Sequence, residues 1–359
     1  MTLVRGPRAR LIDLDDSFAE INETFYERGW TDGLPIVPPT EEAVAAMLAG
    51  TDRDPHAVLG VLPPRQGEAT VEKVAINAVM AGCLPEYLPV VIAAVEAVAD
   101  PDFNLDGVQA TTHPVAPLII VNGPLARRLA INGGYNCYGQ GARANATIGR
   151  ALRLVLVNLG GGSPGSGDRS TQGSPSKYSY CVAENEAASP WEPFHMEHGF
   201  APEESTVTVI GCEAPHNIQE HYSNSGLGIL QTIAGAMGQA GSNNLLRHGF
   251  PVLSLGPEHA ATIARDGYTK QAIREFIFAH AVYPLAKLSD EYRAVLWELN
   301  GVAPDDDTAV ARIVERPEDI AIIVAGGAGK HSCWHPTFGG FTKPVTRVIV
   351  DAAGRTITP

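Results

Sequence analysis

The chain has 359 residues, of which 45% are hydrophobic and 18% charged, so a large buried core is available and global disorder is excluded. Its 26 basic and 40 acidic side chains give a net charge of −14, which argues against a nucleic-acid or anionic-membrane binder. No apolar run reaches the roughly 18 residues that a membrane helix needs. At about 150 residues per domain, the length predicts two domains or lobes.

The N-terminal residues and the cysteines predict a cytoplasmic protein. The opening segment MTLVRGPRARLIDLDD lacks the apolar core of a signal peptide. The cysteines lie far apart, at Cys83, Cys137, Cys181, Cys212 and Cys333. Such spacing is typical of a reducing compartment and not of a disulfide framework.

Helical and extended segments alternate in the first hundred residues. We expect a helix over 17–28, an extended proline-rich segment over 31–40, and helices over 40–48, 70–82 and 85–99. Thr70 is a suitable N-cap for the fourth segment, which has one continuous apolar face. The last segment is apolar nearly all round, which predicts a helix buried on most sides.

Short apolar runs bounded by turn residues predict buried strands. They cover 117–121, 206–211, 251–255, 320–325 and 345–350. Two of them continue through Gly-Pro into a helix, and proline suits the first helical position because its missing N–H would be unpaired there. Alternating strands and helices predict an α/β fold with mixed, mostly parallel sheets and flanking helices.

The predicted organisation is an N-terminal arm followed by two α/β lobes. We place the arm at 1–55, the first lobe at 56–200 and the second lobe at 201–359. A helix, a histidine, a strand, Gly-Pro and a second helix follow each other within both 71–134 and 228–267, so the lobes are possible pseudo-repeats. If the repeat is real, the cleft between the lobes is the expected site.

The segment 160–177 has no large apolar residue and consists mainly of glycine, serine and proline. A loop of this length inside a compact enzyme is typical of a lid, a binding loop or a disordered insert. We favour a loop that covers a ligand.

The most informative motif is AGGAGKHSCWHPTFGG (325–340), which follows a predicted buried strand. His331, Cys333 and His335 alternate, so an extended backbone points all three to one side. Such a set could activate Cys333 as a nucleophile, provide acid–base groups, or bind a divalent metal ion such as zinc or copper. A packed polar loop with a buried thiol is the alternative.

Two further segments place reactive side chains beside predicted strands. His113 precedes one strand and is a candidate acid–base group. Cys212, Glu213 and His216 follow another strand and are also candidate catalytic residues. The loops beyond strand ends are where α/β sheets commonly bind ligands.

The candidate substrate-binding residues are polar groups near glycine-rich turns. They are Asn122, Arg143, Asn145, Lys177 and Trp191. Arg143 lies beside a predicted helix start at Asn145, where exposed backbone N–H groups favour an anion. The motifs of dinucleotide-binding folds, P-loop NTPases and α/β-hydrolases are absent.

Several phrases resemble a bacterial family of hypothetical proteins encoded near genes for UGSC-motif, selenoprotein-like proteins. The phrases are TDGLPIVPPT, VEKVAINAVMAGCLPEYLPVV, FNLDGVQATTHPVAPLIIVNGP, ANATIGRALRLVLVNLGG, AENEAASPWEPFH and GPEHAATIARDGYTK. The resemblance covers about residues 20–350 and implies a cytoplasmic, catabolic enzyme of small molecules. GKHSCW (329–334) also resembles a UGSC loop, but Lys330 occupies the redox position, so a dithiol or selenol mechanism would be missing.

Together these patterns predict an enzyme with lyase-type or hydrolytic chemistry on a small carboxylated or thiol-bearing molecule in the cleft between the lobes. A histidine would take a proton, and Arg143 or Lys177 would hold the anionic group. The alternatives are a metalloenzyme with a divalent ion bound by histidine and cysteine, and a non-catalytic partner subunit of a UGSC-type redox protein. A homo-oligomer such as a dimer is also expected.

Overall fold

A computed structural model describes residues 9–302, 306 and 308–357 of the protein. Its helices are α1 (Phe18–Glu27), α2 (Glu41–Leu48), α3 (Val71–Ala81), α4 (Leu88–Val98), α5 (Leu105–Ala110), α6 (Pro124–Arg128), α7 (Arg143–Asn158), α8 (Phe194–Glu197), α9 (Gly226–Met237), α10 (Asn243–Arg247), α11 (Pro257–Arg265), α12 (Lys270–His280) and α13 (Asp290–Asn300). No helix in these described residues is both long enough and apolar enough to cross a membrane.

The strands are β1 (Val58–Leu62), β2 (Gly67–Thr70), β3 (Ala116–Asn122), β4 (Cys181–Ala183), β5 (Thr206–Cys212), β6 (His216–Gln219), β7 (Val252–Leu255), β8 (Val282–Pro284), β9 (Val310–Arg312), β10 (Ala321–Val324), β11 (His331–His335) and β12 (Val345–Val348). Two four-stranded sheets dominate. The first has the order β12-β5-β3-β4 and the second the order β10-β7-β11-β6. β1 pairs with β2, and β8 with β9, in two small antiparallel sheets.

The helices with a local cap signal are confirmed. Thr40 accepts the N–H of Ala43 at the start of α2, and Thr70 accepts the N–H of Lys73 at the start of α3. Gly82 ends α3 in the left-handed conformation at φ 86°, which glycine adopts without a steric penalty. The predicted strands correspond to β3, β5, β7, β10 and β12.

The α/β class is confirmed, but the expected predominance of parallel pairs is wrong. Within the two large sheets, only β3–β4 and β7–β10 are parallel, while β3–β5, β5–β12, β7–β11 and β6–β11 are antiparallel. A parallel connection needs a crossover of a dozen or more residues. Only residues 325–330 separate β10 from β11, so β11 enters the sheet antiparallel.

The two large sheets pack against each other with helices on their outer faces, which gives a four-layer architecture. On β3, Leu118 and Ile120 face the second sheet, whereas Ile119 and Val121 face the helices α3, α4 and α7. The second sheet repeats this alternation. Val252 and Ile323 lie between the sheets, while Leu253, Ile322 and Trp334 pack with α9, α11 and α12. The strands β3, β4, β5, β7 and β10 are therefore buried along their whole length, whereas the edge strand β6 is mostly exposed.

The chain crosses twice between the two large sheets, and each crossing supplies an edge strand. β5 belongs to the first sheet, but after residues 213–215 the chain enters the second sheet as β6. β11 belongs to the second sheet, but after residues 336–344 the chain enters the first sheet as β12. The sheets therefore do not follow the predicted boundary at residue 200, because β5 and β12 both pair within the sheet of β3.

The glycine-rich segment 160–177 is held by hydrogen bonds to its surroundings. Ser170 donates its hydroxyl to the carbonyl oxygen of His113 at 2.7 Å, and Thr171 donates its N–H to the carbonyl oxygen of Thr112 at 3.0 Å. Within the segment, Lys177 Nζ lies 2.6 Å from Asp168 Oδ2. The loop therefore lies directly over the turn that carries His113.

Candidate functional site

The candidate site lies at one end of the layer between the sheets, where the chain crosses from β5 to β6 and from β11 to β12. The two crossings touch, because Glu213 donates its N–H to the carbonyl oxygen of Pro336 at 2.7 Å. Cys212 and Thr337 also form an isolated antiparallel bridge there. Polar side chains from β7, β11 and several loops can meet at this point because both crossings leave the sheets together.

A chain of hydrogen bonds runs through the buried part of the site. Tyr138 Oη lies 2.5 Å from Ser254 Oγ, and Ser254 Oγ lies 2.9 Å from His335 Nε2. His335 Nδ1 lies 2.6 Å from Tyr180 Oη, which donates to the carbonyl oxygen of Glu213 at 2.8 Å. Since Tyr180 donates to Glu213, it accepts from His335 Nδ1–H, and His335 Nε2 then accepts from Ser254.

This arrangement keeps His335 neutral and fully bonded. Its side chain is fully buried, and burial lowers the pKa of His335 to about 3. Both ring nitrogens already have partners within the hydrogen-bonded chain. The predicted roles of His335 as a metal ligand or as a base therefore do not fit its surroundings, and we assign it the positioning of Tyr180.

His113 and Glu213 form a carboxylate–imidazole pair at the outer end of this chain. His113 Nε2 lies 2.8 Å from Glu213 Oε1, and the two side chains are 12% and 27% exposed. The ring of Phe338 packs beside the imidazole with its centroid 5.4 Å away. His113 Nδ1 is buried and has no hydrogen-bond partner among the described residues. The pair therefore leaves one imidazole nitrogen available for proton transfer.

Cys212 and Cys333 lie near Tyr180, but both thiols are in apolar surroundings. Burial raises the pKa of Cys333 to about 11, and it raises the pKa of Cys212 well above its ordinary value. Cys137, a neighbour of Cys333 that the sequence did not indicate, has its pKa raised to about 11 by burial and then by Cys333. Because the thiolate is the nucleophile, these surroundings disfavour Cys333 as an activated nucleophile.

His331 and His216 do not join this site. His331 lies at the exposed start of β11, where its ring contacts His221 and not His335. His216 is exposed on β6 and packs beside Trp334, which faces the outer helices. The predicted metal set of His331, Cys333 and His335 is therefore spread from solvent to core. In the part of the chain that the structure describes, no group of three or more His, Cys, Asp and Glu residues could hold a metal ion.

Two cationic side chains line a small cavity beside Tyr180. Its lining comprises Pro117, Gly149, Leu152, Arg153, Leu156, Ser176, Lys177 and Tyr180. Arg153 donates Nε–H to the carbonyl oxygen of Lys177 at 2.7 Å, while the ammonium of Lys177 pairs with Asp168. Burial lowers the pKa of both Arg153 and Lys177. Asp168 interacts with both cations, and Asp32 also interacts with Arg153, so the wall of this small cavity carries two partly compensated positive charges.

Three predicted binding residues have structural roles elsewhere. Asn122 ends β3, roughly 20 Å along the strand from its start, and donates to buried Glu184 at 2.6 Å. Asn145 is buried, and its amide bonds the backbone of Asn132 and Cys181. Trp191 is half-buried and donates Nε1–H to a backbone carbonyl oxygen at 3.0 Å.

Arg143 is the fourth predicted binding residue that lies outside the site. It is exposed at the first position of α7, whereas Arg153 reaches the cavity from the same helix. The anion-binding role expected for Arg143 therefore suits Arg153 better. The sequence held a sign of this role, because Arg153 is a charged residue inside the apolar run LRLVLV (152–157).

The sequence patterns did not indicate Tyr138, Tyr180 or Ser254. A hydroxyl group in a turn or strand is common, so only the folded arrangement separates these three from other hydroxyl side chains. The aromatic segment KYSYC after the glycine-rich loop was the one available signal.

The fold and the site define a four-layer α/β protein with a polar site between its sheets. No protein-family model and no curated protein matches the chain.

Proposed function

We propose that the protein is a cytoplasmic enzyme that transfers a proton to or from a small molecule at His113, in a lyase-type or hydrolytic reaction. The observation that carries this proposal is the 2.8 Å contact between His113 Nε2 and Glu213 Oε1 together with the unpartnered Nδ1. A carboxylate that accepts one imidazole N–H fixes the tautomer and leaves the lone pair on the other nitrogen. Nδ1 is then the base.

The buried chain of hydroxyls supports the same assignment by positioning Glu213. Tyr180 donates to the Glu213 carbonyl oxygen, and His335 holds the hydroxyl of Tyr180 in place. The Glu213 N–H is bonded to Pro336. With both backbone groups held, the carboxylate has little freedom to leave His113, and catalytic groups need such fixed geometry.

The cavity beside Tyr180 would bind the anionic part of the substrate. Lys177 was predicted for this role, and Arg153 adds a guanidinium that can bind a carboxylate through two hydrogen bonds. The 160–177 loop carries Lys177 and covers His113 through Ser170. Since Nδ1 is buried, the loop must move before a substrate reaches the base, which is the behaviour of an active-site lid.

We further propose that the chain forms a dimer or other homo-oligomer and that it binds a UGSC-type partner protein, as the sequence resemblance implies. We also propose the internal repeat, which is supported by the sheets: one parallel pair followed by two antiparallel pairs occurs in the order β4-β3-β5-β12 and again in β10-β7-β11-β6.

The test replaces His113 with asparagine and follows the consumption of a mixture of small carboxylic and thiol-bearing metabolites by mass spectrometry. For any compound that the wild type consumes, we expect His113→Asn to lower kcat by about 10²- to 10⁴-fold, because general acid–base catalysis contributes about that factor. His280→Asn is the matched control, since His280 is an exposed histidine on α12. Equal consumption by wild type and His113→Asn would show that His113 is not the base.

A further inference from the structure

A pair of exposed histidines lies outside the site described above. His221 follows β6 and His331 begins β11, and their Nε2 atoms are 3.1 Å apart. The rings stand almost perpendicular, at 87°, with their centroids 4.8 Å apart. The Nε2 atoms of two imidazoles thus lie side by side on the protein surface.

The distance between the two nitrogens suits two ligands of one metal ion. Zinc–imidazole bonds of about 2.0–2.1 Å, at bond angles between octahedral and tetrahedral values, separate two ligand nitrogens by about 2.9–3.4 Å. The observed separation lies within this range. A hydrogen bond between the rings also has this length, so the distance alone does not decide between the two arrangements.

The surroundings of His331 fix the tautomer that a metal ligand needs. His331 Nδ1 lies 2.9 Å from Asn217 Oδ1, an acceptor that requires the proton to be on Nδ1. The lone pair is then on Nε2 and points toward His221. A hydrogen bond from the second ring nitrogen to an oxygen acceptor is the usual support of a metal-binding histidine.

The backbone around the pair is held by several contacts. β11 and β6 pair antiparallel, which brings Cys333 opposite Asn217. Lys330 Nζ donates to the carbonyl oxygen of His221 at 3.1 Å, and the Glu220 carboxylate accepts the N–H groups of Tyr222 and Ser223 at 2.8 and 2.9 Å. Two imidazoles fixed close together bind a metal more tightly than two free ones, because the second bond forms within one molecule.

We infer that His221 and His331 together bind one divalent transition-metal ion of the zinc, nickel and copper class. Imidazole nitrogens suit these metals, whereas calcium and magnesium require oxygen ligands. Among the described residues no third His, Cys, Asp or Glu completes the set, so water fills the other positions. When the metal binds, the proton on His221 Nε2 must leave that nitrogen, and solvent can accept it because His221 is an exposed residue.

This site is independent of the proposed chemistry at His113. It lies at the exposed start of β11, and neither histidine contacts His113, Glu213 or the cavity beside Tyr180 among the described contacts. The inference stands on the histidine pair and its support, and it neither requires nor predicts any particular reaction.

The test is titration of the metal-stripped, full-length protein with Zn²⁺ by calorimetry, and with Cu²⁺ by electron paramagnetic resonance. We expect one site, with nitrogen hyperfine structure from two imidazoles in the Cu²⁺ spectrum. His221→Gln and His331→Gln should each weaken this site at least about tenfold, and Asn217→Ala should weaken it by about 10- to 100-fold while the ligands remain. His280→Gln is the control and should bind as the wild type does.

Two results would overturn the inference. One is wild-type binding that is no tighter than that of the His221→Gln, His331→Gln double variant, which would identify the pair as hydrogen-bonded only. The other is a Cu²⁺ spectrum that is unchanged when both histidines are replaced. Circular dichroism of each variant establishes that its fold is retained, so that lost binding is attributable to the lost ligand.

Discussion

At the residue scale, the site combines groups that the sequence could indicate with groups that it could not. His113 and Glu213 were predicted, because a histidine before one strand and a carboxylate after another are uncommon enough to attract attention. Tyr138, Tyr180 and Ser254 become significant only through contacts between distant segments. The alternation of side chains along an extended backbone predicts His331, Cys333 and His335 on one side of a strand, as in β11. It could not show that this strand begins at the solvent and ends in the core.

His335 leads to a prediction about stability and pH. Its pKa falls from 6.5 in the unfolded chain to about 3 in the folded protein, because burial disfavours the charged ring. The contribution of His335 to the free energy of unfolding is complete above pH 6.5. It is lost as the pH falls toward 3, because in this range the unfolded chain binds a proton at His335 and the folded protein does not. Between pH 7.5 and 5, this group should lower the free energy of unfolding by about 2 kcal/mol.

Urea unfolding of wild type and His335→Gln at both pH values checks this prediction. The variant should be less stable at pH 7.5, because Tyr180 and Ser254 lose their partner. Its stability should also fall less between the two pH values. The difference between the two proteins isolates His335 from other buried histidines such as His195 and His259. An identical pH dependence in both would contradict the neutral, buried state of His335.

At the scale of the element, helices were predicted well because their signals are local. The caps Thr40 and Thr70 and the C-terminal Gly82 all lie within a few residues of the backbone groups that they affect. β4, β6 and β11 are short, and their pairing partners lie far away in the chain. The expectation of mostly parallel sheets was wrong for the same reason. The direction of a strand pair depends on the path of the chain between the two strands and not on the local sequence of either strand.

Glycine substitutions in two helices should change stability in opposite directions. Gly82→Ala should lower the free energy of unfolding by about 1 kcal/mol, because Gly82 has φ 86° and an L-residue is strained there. Its Cβ would meet no atom closer than 3.8 Å, so the cost is one of backbone conformation alone. Gly235→Ala is the matched control. It lies within α9 with open space around its Cβ position, and should stabilise the protein by about 0.5–1 kcal/mol.

Urea unfolding of both variants measures these changes. A neutral or stabilising effect of Gly82→Ala would mean that the end of α3 adopts another conformation in solution.

At the scale of the whole molecule, the two chain crossings couple the large sheets: β6 enters the second sheet directly after β5, and β12 enters the first sheet directly after β11. The second sheet is formed by one segment, residues 216–335, and the first sheet lacks an edge strand without the residues that follow this segment. The candidate site lies where the two crossings meet, so its geometry depends on both sheets. No local sequence pattern predicts these crossings, because the sequence of a short strand does not determine which of two sheets it joins.

This coupling predicts a single cooperative unfolding transition. Trp334 is buried in the core around the second sheet, and Trp30 packs against the core around the first. Variants in which Trp30 or Trp334 is the single tryptophan left of the chain's four should give fluorescence transitions with the same urea midpoint after correction for their stabilities, because neither sheet persists without the other. Two separated midpoints would show that the halves unfold independently.

The crossing from β11 to β12 also has a consequence for how the protein is made. As the chain leaves the ribosome, β3, β4 and β5 emerge before the whole of residues 213–344, so the outer edge of β5 stays without its neighbour until β12 follows. An unpaired strand edge is a site for association with other chains. Premature termination before Val345 would therefore leave a product that contains every strand of the second sheet but has an open, aggregation-prone edge on β5.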